Sequence, residues 1–244
     1  MRDYTQEAGR YDETRGGDAR ADAAAAAIES LLPDGARVIA DLGCGTGIVT
    51  ARLAAPDRTV LGLDRAAGML AVAATRLDRT VRADVTRLPL RDASCDAVIA
   101  IWVLHLVGPE AAAQVIAEAA RVLRPGGRLI VTVDKDDANY ANGSDIAAVI
   151  EPLRARHYPP QSDAADRVAR IASGHGLRLA GQARFVGHGQ GRSPRIWHDH
   201  LPNHAWVTAI DPAELDPIRA GLAALPDQDT ARADPVYDLV ALAR

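Results

Sequence analysis

Short apolar runs and helically spaced apolar positions alternate along the first half of this chain. "ARVIADLG" is a β-branched run ending in glycine, and the pattern predicts a buried strand there. "RTVLGLD", "TVRADV", "CDAVIAIWVL" and "RLIVTVD" follow as four further strands, the first of these four ending on Asp64. Helical spacing falls between them over 48–54, 66–77 and in "PEAAAQVIAEAARVL", which stops at "RPGG", where proline and glycine close a helix. An alanine-rich stretch, "ARADAAAAAIESLL", predicts a helix that ends ahead of Pro33. Near-continuous apolar strands separated by helices indicate a parallel sheet buried on both faces.

Beyond Asp134 the rhythm changes. Helices are expected near 146–156 and 164–173, then a strand in "LRLAGQARFVG" and a last one in "PVYDLVALAR". The expected fold is therefore α/β: a doubly wound, mostly parallel seven-stranded sheet with an insertion before the final strand. That insertion, 190–230, carries "RIWHDHLPNHAW" and the helix-like "PAELDPIRAGLAAL". Segments of this length inside a compact fold are usually lids or substrate-binding elements.

Composition narrows the classes. The apolar fraction of 48% and charged fraction of 25% are those of a soluble globular domain, and 244 residues suffice for a large core. The net charge is −4 and arginines are spread along the chain, which argues against nucleic acid as a partner. The N-terminus lacks the apolar core of a signal peptide and no run is long enough for a bilayer, so a cytoplasmic, membrane-free protein is expected. Cys44 and Cys95 form no CxxC pair, which suggests neither a disulfide framework nor zinc.

The chemistry begins at "VIADLGCGTG", 38–47. In an open parallel sheet, ligands bind beyond the carboxyl ends of the strands, and glycines let backbone approach them closely. A dinucleotide calls for G-x-G-x-x-G, with its pyrophosphate on a helix N-terminus. Here Gly43, Gly45 and Gly47 give G-x-G-x-G, and Ile48 stands where the third dinucleotide glycine belongs. Asp41 at the strand end would repel a pyrophosphate but suits the cationic amino group of an amino-acid-bearing ligand. S-adenosylmethionine has that group, a sulfonium and no phosphate.

These residues resemble motif I of the class I S-adenosylmethionine-dependent methyltransferases, in their small-molecule, methyltransferase type 11-like branch, whose fold is Rossmann-like. The resemblance implies that Asp41, Gly43, Cys44, Gly45 and Gly47 form the cofactor turn. It implies that Asp64 holds the ribose hydroxyls, with Arg65 and Met69 beside it. Asp84 in "RADVTRLPL" matches the acid that binds the adenine amino group, and Val85 supplies backbone contacts. "DAVIAIWVLHLV" and "RVLRPGGRLIVTV" are similar to the family's fourth and fifth strands, placing Ile101 at the cofactor. "RYDETRGG" resembles the segment in which an aromatic residue and an arginine, here Tyr11 and Arg15, close over the methionine part. One domain, 1–244, is expected: a cofactor-covering segment 1–35, a cofactor-binding core 36–135 and the insertion 190–230.

Methyl transfer needs an oriented nucleophile and exclusion of water, with a general base where the acceptor is a hydroxyl. His105, just past the fourth strand, is the first candidate base; the competing reading is a packing histidine flanking the cofactor. The spacing of His198, His200 and His204 and the presence of Pro202 do not suit a zinc site, so these histidines read as a solvated or pocket-lining lid, with one of them the alternative base. Trp102 reads as core or cofactor wall. The acidic run 134–139 reads as an exposed loop, and no metal is assigned. The expected function is transfer of a methyl group to oxygen, nitrogen or carbon of a small-molecule acceptor, in secondary metabolism, leaving S-adenosylhomocysteine. A homodimer is compatible with this. The competing functions are a non-methylating or non-catalytic cofactor binder, such as a cyclase-like relative, and a nicotinamide oxidoreductase, which Asp41 and the missing glycine oppose.

Overall fold

The computed structural model describes residues 8–140 and 143–244. Its elements run α1 (Tyr11–Thr14), α2 (Gly17–Glu29), β1 (Val38–Leu42), β2 (Thr59–Asp64), α3 (Ala67–Ala73), β3 (Thr80–Arg82), β4 (Cys95–Ala100), α4 (Pro109–Val122) and β5 (Leu123–Val133). Then follow α5 (Asp137–Tyr140), α6 (Asp145–His157), α7 (Ala165–Gly174), β6 (Arg178–Val186), α8 (Pro194–His200), α9 (Pro212–Ala224) and β7 (Val236–Ala243). The seven strands form one sheet in the order β3-β2-β1-β4-β5-β7-β6. β1 to β5 pair in parallel, and β7 runs antiparallel between β5 and β6. The sheet is the mostly parallel, doubly wound one that the pattern of apolar runs implied.

Both faces are covered, which is why the central strands read as unbroken apolar runs. On one face Ala40, Leu42, Val98 and Val131 pack with Val115, Ile116 and Ala119 of α4 and Val168 and Ala172 of α7. On the other, Ile39, Ala97, Ile99 and Ile130 pack with Ala24 and Ile28 of α2. A third core lies apart from the sheet: Tyr140, Ile146, Ile150 and Leu153 pack with Trp197, Leu201, Val207, Leu215 and Leu222. The predicted insertion thus builds a helical cap together with α5 and α6, which the sequence did not associate with it.

Several elements are shorter than their patterns suggested; the helix expected over 66–77 forms only over Ala67–Ala73. Over 48–54 only a 3-10 turn, Thr50–Leu53, forms; β-branched Val49 and Thr50 disfavour a helix, and Pro56 prevents its extension. β3 stops at Arg82 because the Asp84 carboxylate accepts from the Thr86 N–H and turns the chain. β4 stops at Ala100 because Trp102 takes a left-handed φ of 56°, leading into the turn Leu104–Leu106. That break places His105 beyond the carboxyl end of the sheet.

The N-terminal segment is held down by close backbone contact. Gly16 has φ +89°, and a Cβ there would lie 1.9 Å from the His188 carbonyl oxygen, in the loop after β6. Gly16→Ala is expected to cost more than the roughly 1–2 kcal/mol of left-handed strain, because the loop must also move. Thermal unfolding measures it; an unchanged melting temperature would show that the segment does not dock against this loop.

Candidate functional site

The sheet order reverses between β1 and β4, and the crevice beyond their carboxyl ends is where such folds take ligands. The glycine turn leaves β1 there. Gly43, Gly45 and Gly47 all have positive φ, and a Cβ on Gly45 would meet nothing within 4 Å, so open space lies over the turn. The Gly43 and Cys44 N–H groups donate to the Leu63 carbonyl, and the Gly45 N–H donates to Asp64 Oδ2 at 2.9 Å. The other Asp64 oxygen accepts from the Ala66 N–H at 2.8 Å. Asp64 is therefore pinned against the turn, while a carboxylate retains lone pairs for a ligand's hydroxyls.

Asp41 is 5% exposed and accepts a hydrogen bond from Thr50 Oγ1. Burial pushes its carboxyl up to about 7, against the Thr50 hydrogen bond, and the nearby Asp64 charge adds to the rise. The Cys44 thiol packs against Gly62, and burial pushes it up and out of the nucleophilic range, leaving its backbone to face a ligand. Met69 and Ile101 are buried and offer apolar surface only. Arg65 and Asp84 are exposed; hydrogen bonds from the Thr86 N–H and Oγ1 hold the Asp84 carboxyl below its usual range. Val85 is half-buried beside it.

A cavity of about 660 Å³ is lined by Trp102 and His105, which follow β4. Tyr11 and Arg15 line one end of it, with the Arg15 guanidinium 5.6 Å from the Tyr11 ring centre. Asp12, which the sequence reading passed over, ties this segment to the glycine turn: it accepts from Thr46 Oγ1 at 2.6 Å and pairs with Arg76 at 2.7 Å. His105, His200 and His204 line the same cavity, and His204 stacks on Trp197 at 5.3 Å. His198 does not line it and is instead bonded to Asp199 at 2.8 Å. Burial, with Lys135 close by, holds the His105 imidazole well below its ordinary range, so it is neutral at pH 7. Burial lowers His204 likewise. Trp102 lines the cavity, with its ring edge-on to Phe185 and Tyr237.

The acidic run 134–139 does not form the exposed loop that its polarity suggested. Lys135 and Asp136 are half-buried, pair at 2.6 Å and line the cavity with Asn139 and Tyr140. The helical cap packs over them and draws them inward, a tertiary effect that local polarity does not report. Arg20, Arg192 and Tyr237 are further lining residues that the sequence reading did not single out. Arg20 was open to detection, since it stands four residues before Ala24 and eight before Ile28 on the buried face of α2. Among the described residues no group of three His, Cys, Asp or Glu side chains is placed to hold a metal ion. Nor is any described helix long and apolar enough to cross a membrane.

A doubly wound sheet of this order, with a glycine turn following its first strand, defines a Rossmann-like domain. Residues 40–131 match the family model described as a methyltransferase domain, Methyltransf_11. Over this segment the chain is similar to the class I S-adenosylmethionine-dependent methyltransferases. It is 38% identical over 141 residues to an uncharacterized methyltransferase of Mycobacterium tuberculosis, covering 55% of this chain and 57% of that protein. It is 40% identical over 103 residues to the demethylmenaquinone methyltransferase of Mycolicibacterium gilvum, covering 42% and 44%. The chain thus spans about half the length of the curated relatives it matches. Among solved structures, the [4+2]-cyclase SpnF superposes with a TM-score of 0.60 at 17% identity, over 99% of this chain and 94% of that one; that likeness concerns the fold.

Proposed function

We propose that this protein transfers the methyl group of S-adenosylmethionine to a small-molecule acceptor held in the cavity beneath the helical cap. The observation that carries this reading is the placement of that cavity: Tyr11, Arg15 and His105 line it, and Asp12, beside Tyr11, is bonded to Thr46 of the glycine turn. Its volume of about 660 Å³ is in the range of small-molecule sites. Relatives named demethylmenaquinone methyltransferase support an acceptor of that scale. S-adenosylmethionine would supply the electrophilic methyl group.

The chain's own residues would do the rest. Asp41 would neutralise the ammonium of the methionine part, and Tyr11 and Arg15 would close over its other end. Asp64 would accept from the ribose hydroxyls, and Asp84 from the adenine amino group, with Val85 beside it. Met69 and Ile101 would form apolar walls, and the Gly43–Gly47 turn would present backbone at contact distance. The cap would exclude water and fix the acceptor in line with the methyl group, an orientation effect of roughly 7–11 kcal/mol. His105, neutral and facing the cavity, would accept the proton of a hydroxyl acceptor.

Mass spectrometry of turnover with an acceptor tests the whole reading: a gain of one methyl group is expected, and conversion without that gain overturns it. For His105 the expected result is narrower. His105→Ala should lower kcat by about 10²–10⁴-fold with S-adenosylhomocysteine affinity unchanged. Because the imidazole stays neutral through the physiological range, the wild-type kcat profile should lack an acidic limb near 6.5. A kcat within about threefold of wild type in the variant would reduce His105 to a packing residue.

A further inference from the structure

Arg20 is 5% exposed, on the buried face of α2. Its guanidinium stands 4.2 Å from the Trp102 ring centre, and its Nε is buried without a hydrogen-bond partner. Arginine does not shed its proton to escape burial, so the charge remains. A buried charge without a counter-ion is costly, and the ring face of Trp102 compensates only part of that cost. Burial is also the main influence on this guanidinium and lowers it from its ordinary value.

The surroundings carry the same sign. Among the described residues, Arg15, Arg20, Lys135 and Arg192 line the cavity against a single lining carboxylate, Asp136, which is already paired with Lys135. The chain as a whole is net negative, at −4, so this excess of positive charge is a property of the cavity. Arg20 and Arg192 both act electrostatically on Tyr237, whose hydroxyl donates to Gln190. Trp102 follows β4 and Tyr237 lies on β7, so Arg20 sits over the half of the sheet away from the β2 and β3 side of the glycine turn. The lining also holds an aromatic pair, Trp206 Nε1 donating to the Tyr140 hydroxyl at 3.2 Å, together with exposed Leu106 and Ile196.

We propose that Arg20 and Arg192 form an anion subsite inside the acceptor cavity, and that the acceptor is a small unsaturated acid. Its carboxylate lies against the two guanidinium groups, and its flat body lies against Tyr140 and Trp206. This rests on the reading of the cavity as the acceptor site. Two guanidinium groups recognise a planar oxyanion through paired N–H donors, which a neutral ester cannot match.

The test uses tryptophan fluorescence quenching by 4-hydroxybenzoate and 4-hydroxycinnamate, by their methyl esters, and by phenyl phosphate, in the full chain with S-adenosylhomocysteine present. At least one acid is expected to bind about tenfold or more tighter than its ester. Arg20→Gln and Arg192→Gln are each expected to weaken the acid about tenfold and leave the ester within about twofold. Calorimetric affinity for S-adenosylhomocysteine should be unchanged in both variants. Equal binding of acid and ester, or saturable binding by none of the acids, overturns the proposal. Weakened S-adenosylhomocysteine binding with intact acid binding also overturns it, because the arginines would then serve the cofactor's own carboxylate. Tighter binding of phenyl phosphate than of either acid overturns the choice of carboxylate. Should Arg20→Gln fail to fold, Arg192→Gln, in a half-buried loop, decides alone. Absence of S-adenosylhomocysteine binding in the wild type would instead defeat the methyl-transfer reading, an outcome separable from the acid–ester comparison.

Discussion

Asp64→Ala is expected to weaken S-adenosylmethionine and S-adenosylhomocysteine binding by about 10²-fold, the largest loss of cofactor affinity from any single side chain here. The size follows from two losses. A carboxylate accepting from two ribose hydroxyls makes charge-assisted bonds, each contributing roughly 1.5–3 kcal/mol. The same carboxylate also fixes the turn, since its oxygens accept from the Gly45 and Ala66 N–H groups. Removing it leaves the turn free to depart from the shape that brings backbone to the ligand. The sheet should survive, because Leu63 and Val60 keep β2 buried without it. Calorimetry of cofactor binding beside a thermal melt gives the result. A folded variant that binds with wild-type affinity would place the ribose elsewhere.

Asp41→Asn is expected to raise stability and lower cofactor affinity together. The folded carboxyl titrates near 7 and its ordinary value is 3.8. Between those values the folded protein holds a proton that the unfolded chain has released. The contribution of Asp41 to stability is therefore full below about pH 4, falls as pH rises to about 7 and is level above. Asparagine keeps an acceptor for Thr50 Oγ1 and carries no charge, so the variant should lack this decline. Its melting temperature should match wild type near pH 4 and exceed it by several degrees, on the order of a few kcal/mol, at pH 8. Cofactor binding should move the other way. An ammonium beside Asp41 favours its ionised form, so wild-type affinity should climb with pH up to about 7 and then level. The variant should bind more weakly and without that slope. Undiminished, pH-dependent binding by Asp41→Asn would assign the slope to another group and leave Asp41 a purely structural acid. The pairing of lost stability with gained affinity is the usual trade at a functional site.

Much of this was legible along the chain because it is local. The strand-end position of Asp64 follows from a run of apolar residues that must stop where the sheet meets solvent. The positive φ of the turn glycines follows from residue type at that spacing. Helix α4 is fixed by its apolar stripe and by the proline after it, and α9 by Pro212 at its start and an Asp211 cap. The acceptor side was not legible in this way. Arg20, Lys135, Arg192 and Tyr237 come from α2, the end of β5, the loop after β6 and β7, and nothing in their neighbours marks them as a group. His198 and His200 are two residues apart in one short helix, yet only His200 lines the cavity. That choice depends on how α8 packs, through Trp197, on Tyr140, across more than fifty residues of sequence.

By itself, then, the sequence determined the sheet, the glycine turn and the placing of Asp41 and Asp64 at the ends of their strands, because period, turn chemistry and charge at a strand end are properties of neighbouring residues. Only the tertiary structure decided that α5 and α6 join the insertion in one helical cap and that Lys135 and Asp136 turn inward. It alone decided that Arg20 is buried against the Trp102 ring. These are contacts between segments far apart along the chain, and they exist only once the three cores have packed.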